Sequence, residues 1–242
     1  MLHIYRLGDK MRTSQSSLPG EKRMWQWQIG EWGPLLLLSY FLFFMQVRNQ
    51  MRREFVEVIE AAPVIAAVKD DEGLKICLTS EVDAVFILYG DICTIADIVA
   101  KVKDAGKIAM VHMDLITGLS SRDISTDFIR KYTRADGIIT TKVNLIAHAK
   151  EIGLATVLRY FVLDSMALVN IERQSRVNRD SQPDMIEILP GIIVPKMIRK
   201  ICAMSRVPVI CGGLIQEKED VMHALASGAA AISTTCPDVW FM

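Results

Sequence analysis

The stretch DGIITTKVNLIAHAKEIGLATVLRYFV, residues 136–162, decides the fold. Its two ends, DGIITT (136–141) and LATVLRYFV (154–162), are short apolar runs bounded by polar residues, as buried strands are. Between them KVNLIAHAKEIG has the mixed pattern of an amphipathic helix and closes on Gly153, a residue suited to a helix C-cap. Strand, helix and strand in such close succession require a crossover connection, which makes the two strands parallel.

Working outward, the same alternation continues in both directions. PVIAAV (63–68), AVFILYG (84–90) and KIAMVHMDL (107–115) precede it, and DMIEIL (184–189), VPVICGG (207–213) and AAAISTT (229–235) follow, giving eight candidate strands. DICTIADIVAKVKDAG, SSRDISTDFIRKYTR and QEKEDVMHALASG are further helical candidates between them. The class is therefore α/β. An open doubly wound sheet and a closed barrel both satisfy the alternation, and eight units favour a TIM-like (β/α)8 barrel, compact beside the roughly 250 residues usual for that fold. No G-x-G-x-x-G follows the first strand, so the main signature of a dinucleotide site is missing. Only CPDVWFM remains after Thr235, so the last helix is expected to be truncated, and residues 55–60 are expected to cover the barrel's bottom.

The chain has 242 residues, with 28 Lys and Arg against 28 Asp and Glu, but the balance is a sum over two unlike pieces. Residues 51–242 carry 22 basic and 25 acidic side chains, a mildly acidic balance that excludes a protein gripping nucleic acid over its whole surface and leaves room for a local patch. Residues 1–50 hold Trp25, Trp27 and Trp32 and the apolar run PLLLLSYFLFFMQV (34–47), and they share no pattern with the rest. That run is shorter than the roughly 20 residues needed to span a bilayer, so the piece is read as an extension ahead of a domain starting at Met51, with an interfacial anchor as the alternative. Five cysteines lack any C-x-x-C, which argues against a disulfide framework or zinc site and for a cytoplasmic protein without a metal or cofactor.

In a barrel, function collects at the carboxyl ends of the strands. By the period of two, Met110, His112 and Asp114 share a face of the third strand, as do Ala155, Val157 and Arg159 on the fifth and Met185, Glu187 and Leu189 on the sixth. If this face is internal, Arg159 needs a carboxylate, either Asp114 or Glu187, because a buried unpaired charge is costly. The plain reading of that set is a structural ion pair with no ligand. Gly212 and Gly213 after the seventh strand, with Ser233 and Thr234 closing the eighth, lie where such barrels commonly bind phosphate through backbone N–H groups and hydroxyls. The plain reading there is a tight turn. His112, Asp114, Lys142, Arg159 and Glu187 would then be left to face the rest of such a ligand.

Together these segments resemble the glycerol-3-phosphate-responsive antiterminator family, regulators of bacterial glycerol-uptake operons. The resemblance is carried by PVIAAVKD, VFILYGDI, VHMDLITGLSSRD, ADGIITTKVNLIAHAKEIGL, RYFVLDSMAL, PDMIEILPGIIVPK, VPVICGGLIQEKEDVMHALASGA and ISTTCPDVW, in order over nearly all of residues 55–240. It implies a TIM-like barrel that senses glycerol 3-phosphate and, when loaded, acts on leader mRNA to carry transcription past a terminator, without catalysis. One departure is the segment before the sixth strand, IERQSRVNRDSQPD, which is unusually rich in Arg. Arg173, Arg176 and Arg179 form the best basic stripe for RNA, with Lys196, Arg199 and Lys200 a second and Arg130, Lys131 and Arg134 a third. The plain reading of each stripe is a solvated helix face. No RNA-reading aromatic motif supports them, and neither DNA nor a membrane is an expected partner, while a homo-oligomer stays open. The alternative function is a phosphosugar-metabolising barrel enzyme, with Asp114 or Glu187 as base and Lys142 as electrophile.

Overall fold

The computed structural model describes residues 54–242, so the reading of residues 1–50 as an extension lies outside the described part. Helical residues 54–61 (α1) lead into eight strands: β1 Val64–Val68, β2 Ala84–Ile87, β3 Ile108–His112, β4 Gly137–Thr140, β5 Ala155–Phe161, β6 Met185–Leu189, β7 Val209–Gly212 and β8 Ala231–Thr234. Between consecutive strands run α2 Asp71–Thr79, α3 Ile95–Asp104, α4 Asp123–Tyr132, α5 Asn144–Glu151, α6 Ser165–Ser175, α7 Pro195–Met204 and α8 Lys218–Ala226. Each strand pairs in parallel with the next and β8 pairs with β1, closing the barrel. As expected, no full helix follows β8, and a 3-10 turn over Pro237–Phe241 ends the chain.

The strands read as unbroken apolar runs because both of their faces are buried. Outward residues such as Val85, Ile87 and Ile138 pack with α2 to α5, and Ile186, Ile188 and Ile232 pack with α6 to α8. Inward residues, among them Ile65, Phe86, Met110, Ile139, Val157 and Ile210, fill the barrel, joined by Phe55 and Ile59 of α1. Helix α1 therefore does cover the bottom. The fill is wholly apolar toward the amino ends of the strands and turns polar toward their carboxyl ends, where a site can form.

The loops are positioned by local chemistry. Asp70 caps α2 by accepting from the Gly73 N–H at 2.7 Å, and a capping box between Glu217 and Asp220 starts α8. The Arg-rich segment between α6 and β6 is held in place by three side chains. Gln182 donates to the Ser175 and Val177 carbonyls, Gln174 donates to Ser181, and the buried Lys150 ammonium reaches the Arg179 and Gln182 carbonyls. Among the described residues no helix is long and apolar enough to cross a membrane, and no group of three His, Cys, Asp or Glu could hold a metal ion.

Candidate ligand-binding site

The alternation that places Val157 and Met185 inside the barrel also places Arg159 and Glu187 there, two residues nearer the mouth. The two are register neighbours across β5 and β6, and Arg159 Nε donates to Glu187 Oε2 at 2.5 Å. The Glu187 side chain is fully buried and that of Arg159 is 9% exposed. Of the two carboxylates that could have met Arg159, Glu187 is the partner. Its other oxygen, Oε1, accepts from Ser233 Oγ on β8, also at 2.5 Å. Glu187 thus bridges β5 to β8 past β7, and Gly212 makes this possible. A Cβ at Gly212 would stand 2.5 Å from both Glu187 Oε1 and Ser233 Oγ.

The remaining polar capacity of this layer is unspent. His112 ends β3, is 2% exposed, and has no hydrogen-bond partner at Nδ1 or Nε2. The terminal amino groups of Arg159 make no hydrogen bond with any described residue, since only Nε is used. Buried polar groups are nearly always satisfied, so orphaned nitrogens facing a barrel interior indicate a missing partner. Burial pushes the His112 imidazole down to about 4, the Arg159 charge pushes the same way, and Asp114 opposes both. The ring is therefore neutral near pH 7 and offers one donor and one acceptor.

That state has a consequence for stability. An imidazole titrates near 6.5 when unperturbed, so between 6.5 and about 4 the unfolded chain takes up a proton that folded His112 refuses. Stability holds above 6.5 and falls as pH drops through this window, by about 3 kcal/mol in all. His112→Gln should abolish that loss, as read from urea unfolding at neutral pH and at about pH 4.5. A variant that loses as much stability as the parent would show that His112 is not the titrating group.

Asp114 is placed differently from the sequence expectation. β3 ends at His112, and Asp114 sits on the 3-10 turn Met113–Leu115, exposed at the rim and off the shared strand face. Its carboxylate accepts from Thr140 Oγ1 at 2.8 Å and from the Thr141 N–H and hydroxyl, both at 2.7 Å. Partial burial raises its pKa, but these bonds and the nearby His112 outweigh that and hold it below the usual carboxylate range. Its work is to tie the end of β4 to the turn after β3. Lys142 follows on the β4 loop, exposed and without an ion-pair partner among the described residues.

At the far side of the mouth, Gly213 has φ +77° and Leu214 φ +63°, so a sharp turn leaves β7. The Gly191 N–H donates to the Gly213 carbonyl at 3.0 Å and joins this turn to the one after β6. Ser233 faces inward, as its bond to Glu187 shows, whereas Thr234 faces the helices. The Thr234 hydroxyl donates to the Ile215 carbonyl and accepts from the Cys236 N–H, and Trp240 Nε1 donates to the Thr234 carbonyl. These bonds fold the carboxyl terminus under the turn. The expected set thus divides: His112, Arg159, Glu187, Gly212 and Ser233 form one interior layer, Gly213 lies in the turn above it, and Asp114, Lys142 and Thr234 lie outside the layer.

Lys69 was missed by the strand-by-strand reading. Ile65 and Ala67 point into the barrel, and Lys69 follows directly after Val68, the last residue of β1, and is exposed. β1 lies beside β8, with Ile65 opposite Ser233, and Lys69 has no ion-pair partner among the described residues.

A family model described as glycerol-3-phosphate responsive antiterminator matches residues 64–240, the whole barrel from β1 to the final turn. The chain belongs to this antiterminator family. Among fellow antiterminator-like proteins of known structure, the glycerol uptake operon antiterminator regulatory protein of Listeria monocytogenes is 32% identical. That match has a TM-score of 0.67 over 73% of this chain and 94% of the other. A glycerol uptake operon antiterminator-related protein of Thermotoga maritima is 35% identical, with a TM-score of 0.64 over 74% and 98% of the two chains. The uncharacterized protein YgcP of Escherichia coli (strain K12) is 41% identical over 185 residues, 76% of this chain and 95% of its own. Barrel enzymes also match, but at identities such as 12% and 17% they share the fold alone.

Proposed function

We propose that this antiterminator-family barrel is a glycerol 3-phosphate sensor that, when loaded, binds the leader mRNA of glycerol-utilisation operons. The ligand seats at the carboxyl mouth. Its phosphate lies at the Gly212–Gly213 turn and the inner end of β8, with Lys69 and Lys142 at the rim, and its hydroxyls meet His112 and the free amino groups of Arg159. The observation that carries this reading is the pair of unpartnered, buried His112 nitrogens beside a guanidinium with unused donors. A small polyol is a natural complement, because each hydroxyl both donates and accepts.

The same geometry favours binding over catalysis. A general base must hold a free lone pair toward the substrate. Glu187 gives one oxygen to Arg159 and the other to Ser233, and Asp114 accepts three bonds from Thr140 and Thr141. Both carboxylates are thus engaged in contacts that tie strands together. The homologous regulators named above point the same way.

Glycerol 3-phosphate at about a hundred times its dissociation constant should stabilise the chain by about 2.7 kcal/mol, a rise of roughly 5–10 °C in melting temperature. Glycerol or inorganic phosphate alone should give much smaller rises. Filter retention of leader RNA should then require the ligand. An unchanged melting temperature with glycerol 3-phosphate would remove the sensor reading, and turnover of the ligand would replace it with an enzyme.

A further inference from the structure

Charge in this molecule is segregated. Residues 54–242 carry 20 Lys and Arg against 25 Asp and Glu, yet residues 165–206 hold seven basic side chains and four acidic ones, of which Glu187 is buried in the site. All seven cations are exposed: Arg173 on α6, Arg176 at its end, Arg179 on the following 3-10 turn, Lys196, Arg199 and Lys200 on α7, and Arg206 just beyond it. Only Arg176 has an ion pair, with Glu172. The other six have no ion-pair partner among the described residues, so their charges are available to a ligand.

The helices that carry most of these groups are neighbours. Helices α6 and α7 pack side by side, and Arg179 and Arg206 lie together at the barrel's amino end, in a cavity of about 590 Å³ that Glu57, Glu60, Asp180 and Asp184 also line. Arg206 also borders the groove between Gln174 and Ser175 of α6 and Ser205 after α7. The Arg-rich linker is not loose, because Gln174, Gln182 and Lys150 hold its backbone. Five of the seven cations are Arg, the side chain whose planar fork suits phosphate.

We infer that the α6–α7 face, with Arg173, Arg179, Lys196, Arg199, Lys200 and Arg206 as phosphate contacts, is the surface on which this protein binds single-stranded RNA. Like charges held unpaired on a rigid face repel one another, and a polyanion relieves that repulsion by neutralising them and releasing counterions. The remaining described residues hold 13 basic side chains against 21 acidic ones, a balance that disfavours the strand elsewhere. The face is also connected to the ligand layer. α6 follows β5, which carries Arg159, and α7 follows β6, which carries Glu187. A ligand that engages Arg159 thus acts on the two strands that carry the basic helices. This inference rests on the RNA-binding reading proposed above and names its surface.

The test uses the full chain saturated with glycerol 3-phosphate and a short fluorescein-labelled single-stranded RNA of mixed sequence. Six contacts predict that log affinity falls with log salt at a slope of about −4, since each phosphate on a single strand contributes about 0.7. Arg173→Ala, Arg179→Ala and Arg199→Ala combined should reduce the slope by about 2 and weaken binding more than tenfold near 0.1 M salt. Arg130→Ala, Lys131→Ala and Arg134→Ala on α4 should change neither, and unchanged melting curves confirm that both variants are folded. Equal RNA binding by parent and α6–α7 variant overturns the assigned face and leaves the RNA reading intact. No RNA binding by the parent overturns both. Loss of self-association, or of retention on anionic vesicles, with RNA binding unaffected would assign the face to another partner and overturn the inference.

Discussion

Arg159→Met should cost about 3–5 kcal/mol of folding stability, measured as a lowered urea midpoint with unchanged slope. The substitution keeps most of the apolar volume and removes the charge that balances a fully buried Glu187. Ser233 is then the one remaining hydrogen-bond donor to that carboxylate, and a single hydroxyl does not offset its desolvation. Such a loss is a large share of the roughly 5–15 kcal/mol that holds a domain folded. The double change Arg159→Met with Glu187→Met should regain most of it, because an apolar pair in place of a buried ion pair is often neutral or stabilising. The double variant should still fail to respond to glycerol 3-phosphate. Recovery of stability together with the ligand response would mean that the ion pair has no part in binding.

Gly212→Ala should be nearly as severe, at about 3 kcal/mol. A methyl group placed 2.5 Å from both Glu187 Oε1 and Ser233 Oγ must push the two apart, adding strain and breaking a hydrogen bond to a charged group. The backbone at this position has no positive φ, so the effect is steric and does not come from lost conformational freedom. Ser233→Ala in the Gly212→Ala background should relieve part of the strain, and the two changes should be non-additive in a double-mutant cycle. Full additivity would show that the close approach over β7 does not limit stability. The lack of a side chain at Gly212 thus serves the interior polar layer as well as any ligand above it.

The two changes also separate the parts of the site. Arg159→Met removes ligand donors along with the ion pair, while Gly212→Ala disturbs the bridge between β6 and β8 and leaves Arg159 Nε its partner oxygen, Glu187 Oε2. A glycerol 3-phosphate response that survives in the second variant at low temperature, and is absent in the first, would locate the essential contacts on Arg159 and His112.

Much of this was legible in the sequence. The eight strands were, because burial on both faces forces unbroken Val and Ile runs, and each is followed by a segment that must cross back over the sheet. That His112, Arg159 and Glu187 each share a face with apolar strand neighbours followed from the alternation of side chains along a strand, and the closed barrel showed that face to be the inner one. Asp114 was misplaced for a definite reason: the apolar run through Met113 and Leu115 conceals the point where β3 gives way to a 3-10 turn, and one such break ends the alternation. Thr234 looked like a phosphate hydroxyl from its place beside Ser233, but neighbours on a strand face opposite ways, and its hydroxyl serves the Ile215 carbonyl.

The sequence by itself determined that the chain alternates strand and helix eight times, that three charged or titratable side chains lie within apolar strands, and that an Arg-rich segment precedes the sixth strand. Those are local properties of periodicity and composition. Tertiary structure alone decided that the barrel closes through β8 on β1, that Arg159 meets Glu187 and not Asp114, and that Ser233 reaches the same carboxylate over a glycine. It also decided that α6 and α7, which carry several of the basic residues, pack against each other. Pairing of this kind depends on strand register and on the width of the barrel, which are set only when all eight strands are in place.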